Sequence, residues 1–206
     1  MRAAGIETAL VDHAASRKSL AGYLMRAHFG RPHVTLKLAI SLDGCIALAD
    51  GSSRWITGAE ARAHVHSRRA LVDAILVGGG TWRADAPRLD ARLPGLADRS
   101  PERVVLTRGT VEGVRSIPSP EAIATLDARS LYVEGGAATA AAFLAADLVD
   151  RLDIYRAPLV IGHGLPAITD IGLGDLAEAH GRWQRAETRL LGEDIYERFE
   201  RVRDKG

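Results

Sequence analysis

The sequence predicts an α/β fold of three layers, in which a mostly parallel β-sheet is flanked by helices and ends in an antiparallel C-terminal edge hairpin. Two observations lead to this prediction. Apolar, β-rich runs are followed by glycine- or hydroxyl-rich turns and then by helical patterns, an alternation typical of parallel strands with helices on both faces. Two further β-rich runs near the C-terminus are joined around Gly192, which is typical of a hairpin.

The first strand is predicted at residues 34–40, an apolar run bounded by Pro32 before it and by Asp43-Gly44 after it. Lys37 interrupts the run. A charge inside a buried strand must be paired, whereas a lysine on an edge face reaches solvent along its stem, and the run alone leaves both open. The polar and glycine-rich segments that follow favour a ligand pocket around this lysine.

Residues 52–57 bring together hydroxyls, a guanidinium and a flat aromatic ring, and they lead into a helix predicted at 59–71. Thr57 is the predicted N-cap, and Glu60 completes a capping box. His64 and His66 point away from each other on a helix, so they do not chelate one metal together, and we interpret both as exposed. The arginines near the helix end are either a solvated face or phosphate ligands.

The rest of the chain repeats the strand and turn pattern. A strand at 74–77 runs into glycines 78–80, where the backbone must bend sharply or closely approach a ligand. Further strands are predicted at 103–106, 131–134, 150–157, 182–191 and 195–199, with a weak helix near 121–126 and an alanine-rich helix at 137–148. Ligands of such sheets bind at the carboxyl ends of the strands.

Bulk composition indicates one substantial core and excludes several classes of protein. The 206 residues carry a net charge of +1, which gives no global field for nucleic acid or a membrane surface. The single Cys45 forms no internal disulfide and no thiolate metal cage, so no metal site is predicted. With neither a spanning run nor a signal-peptide pattern, a cytoplasmic protein is expected. Residues 1–30, with a short helix at 14–26, are predicted to be an appendage to a domain at 31–206.

Four ordered motifs resemble the reductase domain of the bifunctional riboflavin-biosynthesis deaminase/reductase. They are Lys37-Leu38-Ala39-x-Ser41-Leu42-Asp43-Gly44, Ser53-x-Trp55-Ile56-Thr57, Gly80-Thr81-x-x-Ala84-Asp85-x-Pro87-x-Leu89-x-x-Arg92 and Val133-Glu134-Gly135-Gly136. Residues 3–6 are similar to the segment that joins the two halves of that protein. Its deaminase half needs a Pro-Cys-x-x-Cys to hold zinc, which one cysteine does not supply. The chain is therefore expected to be a separately encoded reductase or a fragment of the larger enzyme.

The resemblance implies a dihydrofolate-reductase-like fold and a specific reaction. That reaction is the NADPH-dependent reduction of 5-amino-6-(5-phosphoribosylamino)uracil to its ribitylamino product, with hydride delivered to C1′ of the opened sugar. The nicotinamide must lie about 3–3.5 Å from that carbon, and a proton donor must be at hand. The resemblance also implies a homodimer, and a separate deaminase as a possible partner.

Site residues are carried over from the family onto matching positions. Lys37 and Glu134 are the predicted catalytic residues, and the sequence does not decide which gives the proton. The substrate is predicted to contact Ser53, Arg69, Leu89, Arg92 and Glu134, with Arg69 and Arg92 on the ribose phosphate because a dianion favours paired guanidinium groups. The cofactor is predicted to contact Ala39, Trp55, Thr81, Asp85, Thr107, Arg108, Gly135, Gly136, Ala137, Ala138, Thr139 and Ala140. Backbone donors at the helix start, residues 136–142, are expected around its pyrophosphate.

Three departures from the family pattern mark this chain. Cys45 stands where a basic residue is common and is expected to face outward. Ala86 replaces the second carboxylate of an Ala-Asp-Asp-Pro motif, which leaves Asp85 to act alone. Thr107-Arg108 stands where an aspartate and a small hydroxyl residue are usual, and we expect Arg108 to select NADPH over NADH through the 2′-phosphate.

Two other functions stay open from the sequence. One is a paralogous reductase of the same fold that acts on a different pyrimidine or pterin-like substrate, against which the two predicted phosphate arginines argue. The other is a non-catalytic nucleotide-binding subunit, which the departures at Ala86 and Thr107 keep open. Without the resemblance, the residues themselves support a dinucleotide-binding α/β domain. The deaminated pyrimidine is favoured over the diamino form by similarity to the bifunctional enzyme.

Overall fold

A computed structural model of the chain describes residues 2–9, 11 and 13–203. Within these residues an eight-stranded sheet has the order β5-β4-β3-β6-β1-β7-β10-β9, and β2 pairs with β8 in a small second sheet. The strands are β1 His33–Ile40, β2 Cys45–Leu48, β3 Ala74–Gly78, β4 Glu102–Leu106, β5 Arg115–Ile117, β6 Ser130–Val133, β7 Arg151–Arg156, β8 Gly164–Pro166, β9 Trp183–Leu191 and β10 Asp194–Arg201. The first six strands in that order, from β5 through β7, pair in parallel with their neighbours. Strand β10 is antiparallel to both of its neighbours, β7 and β9. The predicted fold class is confirmed.

Helices cover both faces of the sheet. They are α1 Ala14–Ser19, α2 Ala21–Phe29, α3 Ala59–Arg69, α4 Gly79–Asp85 and α5 Ala137–Ala145, with a 3-10 helix at Pro120–Thr125. Side chains alternate between the faces of each strand. On β1, Leu36 and Leu38 share a core cluster with Phe143 of α5, whereas Ala39 packs with the cluster that contains Val65 of α3. None of the described helices is both long and apolar enough to cross a membrane.

The helix boundaries differ from the predictions where tertiary contacts replace local signals. The predicted helix at 14–26 is two helices that meet at Leu20. The predicted capping box does not form, because α3 has Gly58 as its N-cap, and the Gly58 N–H donates to Asp194 Oδ2 at 2.6 Å. A carboxylate from β10 thus takes the place of a local cap. Helix α5 ends at Ala145 rather than 148, and Asp147 just beyond it has a left-handed φ of 50°.

The turn after β1 is anchored by Asp43. Its carboxylate accepts the Ser41 hydroxyl at 2.5 Å and the backbone N–H groups of Ile161 and Gly162 at 3.1 and 2.6 Å. These hydrogen bonds, that of Ser41 first, lower the pKa of Asp43 to about 2. They hold the segment before β8 against β1, so that β2 and β8 pair. Cys45 is buried in this small sheet, and its predicted outward orientation is wrong.

Helix α3 is fixed to the sheet by buried polar contacts. Arg68 Nε lies 3.3 Å from Asp153 Oδ2 on β7, and Asp153 is fully buried. The Tyr196 hydroxyl also donates to Asp153, at 2.9 Å. His64 Nδ1 lies 2.8 Å from the Tyr155 hydroxyl, so this half-buried histidine has a structural partner and its predicted exposure is wrong. The orientation of α3 then decides which of its side chains face the site.

Candidate active site

A cavity of about 810 Å³ lies at the carboxyl ends of the central strands. Strands β3, β6 and β1 are neighbours in the sheet although they come from distant parts of the chain. The walls come from these strand ends, α3, α4, the segment at 51–57 and the small second sheet. Among the lining residues are Lys37, Ala39, Ser53, Arg54, Trp55, Arg62, His66, Arg69, Thr81, Asp85, Arg92, Leu93, Glu134, Gly135, Gly136 and Leu165.

Three charged groups meet at the centre of this cavity. Arg69 donates to Glu134 through Nε at 2.6 Å and through Nη2 at 3.0 Å. Lys37 Nζ lies 3.7 Å from Glu134 Oε2. β1 has β6 on one side and β7 on the other, so Lys37 is on an interior strand and paired, which excludes the edge-strand interpretation.

The pKa of Glu134 is lowered even though its side chain is almost fully buried. Burial favours the neutral acid, but the charges of Lys37 and Arg69 and the hydrogen bonds from Arg69 outweigh it. The pKa of Arg69 is raised, since the attraction of Glu134 outweighs the burial that opposes it. Glu134 is therefore an ionised acceptor at neutral pH, with the Lys37 side chain beside it.

The segment that follows α4 brings a second arginine to the cavity. Arg92 has an exposed guanidinium, and its Nε lies 3.0 Å from Asp90 Oδ1. Arg69 Nη1 donates to the Asp90 carbonyl at 3.1 Å, and His66 of α3 contacts the same segment. His66 is half-buried and partnered, so its predicted exposure is wrong as well.

An aromatic wall and an ion pair frame the opposite side. The Arg62 guanidinium stacks 4.7 Å from the centroid of the Trp55 ring. Arg54 Nη2 donates to Asp85 Oδ1 at 3.1 Å, which joins the segment at 51–57 to α4. Asp85 thus has a partner that the sequence analysis did not propose.

A second cavity of about 400 Å³ adjoins the first and shares Gly80, Thr81 and Gly136 with it. It is lined by glycines 78–80, Thr81, Leu106, Gly136, Ala137, Ala138 and Thr139. Helices α4 and α5 both begin here after a glycine N-cap without a side-chain cap. The first N–H groups of a helix have no partner within it, so the start of α5 offers donors for an anion.

The glycines around this second cavity have two different roles. A Cβ on Gly78 would lie 2.2 Å from Thr139 Oγ1, and a Cβ on Gly135 would lie 2.4 Å from Thr139 Cβ. These two glycines therefore allow α5 to pack against the strand ends. A Cβ on Gly80 would meet nothing within 4 Å and would project into open space. Gly80 accordingly leaves room for a ligand.

The structure brings most of the predicted site residues together. Lys37, Glu134, Ser53, Arg69, Arg92, Ala39, Trp55, Thr81, Asp85, Gly135 and Gly136 line the first cavity, and Ala137, Ala138 and Thr139 line the second. Leu89 and Ala140 lie in the buried core, outside both linings. Thr107 and Arg108 directly follow β4, whose last residue Leu106 lines the second cavity.

Other lining residues were not proposed from the sequence. Arg62 and His66 lie seven and three residues before Arg69, which was proposed, so the helical period alone places all three on one face. That signal was present in the sequence. Ile46, Ala47 and Leu165 come from β2 and β8, whose lengths of four and three residues gave no usable pattern.

Comparison with solved structures assigns the fold to a class. A dihydrofolate reductase of Enterococcus faecalis, solved with NADP(H), superimposes with a TM-score of 0.60 at 17% identity, covering 82% of this chain and 96% of that one. The sheet order, the antiparallel edge and the flanking helices therefore belong to a dihydrofolate-reductase-like fold.

Sequence comparison assigns the family. The sequence model of the RibD C-terminal domain matches residues 32–196, and the chain belongs to this family. A riboflavin biosynthesis protein RibD of Mycobacterium tuberculosis is 38% identical over 195 residues, which cover 84% of this chain and 56% of that protein. A Thermotoga maritima structure described as a diaminohydroxyphosphoribosylaminopyrimidine deaminase and 5-amino-6-(5-phosphoribosylamino)uracil reductase has a TM-score of 0.76 and 26% identity, covering 91% of this chain and 62% of that one. The chain thus spans little more than half the length of these relatives.

Proposed function

We propose that this chain catalyses the NADPH-dependent reduction of 5-amino-6-(5-phosphoribosylamino)uracil to the 5-phosphoribitylamino product of riboflavin biosynthesis. The observation that supports this most is the convergence of Lys37, Arg69 and Glu134 in one cavity, with Arg92 on its wall. Such a set of side chains can bind a polar heterocycle through Glu134, supply a proton from Lys37 and bind a phosphate group through the two arginines. The name of the Thermotoga maritima relative gives the same substrate for that protein.

The two adjoining cavities fit a dinucleotide cofactor. The uncapped start of α5 offers backbone donors for a pyrophosphate, and the free space at Gly80 admits it. The small Ala39 lets a flat ring approach β1, and Trp55 offers an apolar wall. NADPH, when bound, supplies the hydride that the reaction needs. Arg108 beyond β4 is proposed to favour the 2′-phosphate. A Cβ on Gly79 would lie 3.2 Å from both Arg83 Nη1 and Thr107 Cβ, so a second guanidinium group lies in the same region.

The side chains in the first cavity have separate roles in this proposal. The reduction adds a hydride to C1′ and a proton to the nitrogen of the opened, imine-like sugar. The lowered pKa of Glu134 makes it a hydrogen-bond acceptor for the substrate. We therefore assign proton donation to the Lys37 ammonium, which the same carboxylate holds in place.

The substrate phosphate is assigned chiefly to Arg92. Arg69 uses Nε and Nη2 on Glu134 and Nη1 on the Asp90 carbonyl, which leaves it fewer free donors. The exposed guanidinium of Arg92 retains more of its donors for a dianion, with the charge of Arg69 nearby. Ser53 on the cavity wall is proposed to complete the contacts to the substrate.

The test is NADPH consumption with three pyrimidines: the deaminated phosphoribosylamino compound, its diamino precursor and its dephosphorylated form. We expect turnover with the first, a lower kcat/KM with the second and a large rise in KM with the third. Lys37→Met is expected to lower kcat by about 100-fold or more, the usual contribution of a general acid. Arg185→Ala, an exposed arginine of β9 far from the cavity, is the control.

The proposal fails if the wild-type chain binds NADPH but reduces none of the three compounds. Turnover of another pyrimidine or a pterin in the same assay would instead identify a paralogous reductase.

We propose a cytoplasmic homodimer in which residues 31–206 form the reductase unit and residues 1–30 an appendage. A deaminase, whether encoded separately or joined to this chain, would supply the substrate. Size-exclusion chromatography with light scattering tests the dimer.

A further inference from the structure

His66 lies on the cavity face of α3, one turn before Arg69, and contacts the segment that carries Arg92. Its Nδ1 lies 3.0 Å from the Asp90 carbonyl oxygen, and the Arg92 N–H donates to Nδ1 at 3.2 Å. One nitrogen does not donate and accept together. One neutral tautomer therefore donates to Asp90, whereas the other accepts from Arg92, and each of them ties α3 to the segment at 90–92.

The backbone of Arg92 depends on this contact. Among the described residues, the hydrogen bond to His66 is the one that the Arg92 main chain makes. The residues before it are held independently, because Leu89 is buried and the Ala91 N–H donates to Ser100 Oγ at 3.1 Å. Loss of the His66 contact would therefore release the main chain of Arg92, while its side chain keeps the ion pair with Asp90 and the rest of the segment stays in place.

We propose that His66 is a positioning residue that fixes the Arg92 backbone and so aims its guanidinium at the substrate phosphate. The inference rests on the proposed function, and it assigns to His66 a role in phosphate specificity. Among the described residues, the His66 ring hydrogen-bonds to the Asp90 carbonyl and the Arg92 N–H and to none of the groups assigned to hydride or proton transfer, so we assign its effect to Arg92.

The charges around His66 agree with this role. Arg69 and Arg92 are the cations that face it, and Asp90 and Glu134 contribute the opposing carbonyl and carboxylate. Burial first, and then the charge of Arg69, lower the pKa of His66 below its ordinary 6.5. The ring is accordingly neutral at physiological pH, which is the form that has an acceptor nitrogen.

The experiment compares three substitutions of His66 by steady-state kinetics with the phosphorylated and the dephosphorylated substrate. His66→Ala removes both contacts. His66→Gln retains the size but carries its amide nearer to the Nε2 position, so it serves if the alanine variant does not fold. His66→Asn places an amide near Nδ1, where it can accept from Arg92 or donate to Asp90.

We expect His66→Ala and His66→Gln to raise KM for the phosphorylated substrate about tenfold, the effect of one lost hydrogen bond, with kcat within about twofold. His66→Asn should restore KM to within about threefold. KM for the dephosphorylated substrate should change by less than about twofold in all three. His64→Ala is the matched control, since it removes a half-buried, hydrogen-bonded histidine of the same helix outside the cavity.

Three outcomes overturn the proposal while the wild-type chain is active: an unchanged KM in His66→Ala and His66→Gln, an equal rise for both substrates, or no rescue by His66→Asn. A wild-type chain that reduces no pyrimidine overturns the proposed function and this inference with it. A fall in kcat at constant KM would indicate a catalytic role instead.

Discussion

Glu134 is a nearly buried carboxylate whose charge is balanced by Arg69 and Lys37. Removing one partner of a buried ion pair typically costs about 3–5 kcal/mol, because it leaves an uncompensated charge. A buried ion pair adds little to the free energy of unfolding, since well-packed apolar residues of similar size would stabilise the fold as much. Its position at the centre of the cavity is better explained by the chemistry proposed there.

Cofactor preference is expected to depend on Arg108. In the Arg108→Ala variant, we predict that KM for NADPH rises by about 10- to 100-fold, because a charge-assisted contact of about 1.5–3 kcal/mol is lost. KM for NADH should not change. Steady-state kinetics with both cofactors measures this, and Arg185→Ala is the control. An unchanged ratio of the two KM values would exclude Arg108 as the selector.

His33 at the start of β1 is expected to make stability depend on pH. Burial chiefly lowers its pKa from 6.5 to about 4. Between these values the unfolded chain binds a proton that the folded chain does not, so the free energy of unfolding falls as the pH falls. The loss approaches about 3 kcal/mol at pH 4 and vanishes above pH 6.5.

Urea unfolding of the wild-type chain and of His33→Gln at pH 7, 6, 5 and 4 isolates this contribution from those of other groups. The difference between the two proteins should change steadily from pH 6.5 downward. A difference that is the same at all four values would show that His33 does not titrate as its burial implies.

At the level of elements, the ends of β3 and β6 combine tight packing with open space. Gly78 and Gly135 touch Thr139 of α5, whereas Gly80 at the start of α4 faces the cavity. Gly78 and Gly80 are two residues apart in the sequence and yet have different structural roles. Gly78 and Gly135 bring α5 close to the strands, and Gly80 leaves open space where we propose that the cofactor binds.

Substitution of each glycine by alanine should distinguish a role in packing from a role in ligand binding. We predict that Gly78→Ala lowers the free energy of unfolding by about 1–3 kcal/mol through overpacking, and by clearly less when Thr139→Ala has removed the clashing hydroxyl. Gly80→Ala should leave stability unchanged or slightly higher and raise KM for NADPH. Urea denaturation and steady-state kinetics measure both. Equal effects at the two glycines would contradict the assignment.

At the level of the whole molecule, the N-terminal helices lie against the domain rather than within its core. Neither α1 nor α2 has a buried residue. Arg26 of α2 donates to the carbonyls of Ala124 and Leu126, and Gly22 approaches the Arg129 carbonyl closely. Helix α2 is therefore attached by these polar contacts near the amino end of β6 and by half-buried side chains, among them Leu24 and Met25.

A chain that starts at Arg31 is expected to fold and to retain its KM for NADPH. We predict a loss of about 1–3 kcal/mol in the free energy of unfolding, from the polar contacts of Arg26. Arg26→Ala in the full chain is the matched variant and should reproduce most of that loss. Failure of the shortened chain to fold would show that residues 1–30 are part of the domain.

The local pattern of apolar residues and turns was sufficient to predict the central strands and their parallel pairing. Residues 34–40 and 74–77 were predicted as strands and lie in β1 and β3, and the predicted strand 131–134 overlaps β6, which ends at Val133. It failed for β2 and β8, since such short strands are stabilised by each other rather than by their own sequence. It also failed at the start of α3, where Asp194 supplies an acceptor from far along the chain.

The sequence by itself determined the fold class, the family and the types of residue that gather at the strand ends, because periodicity and short motifs are local properties of the chain. Only the tertiary structure decided that Arg69 holds Glu134, that His66 holds the Arg92 backbone and that Leu89 and Ala140 are in the core. These pairings depend on the order of strands in the sheet and on the rotation of α3 about its axis. Both are set by burial and by contacts between residues distant in sequence, which no local pattern encodes.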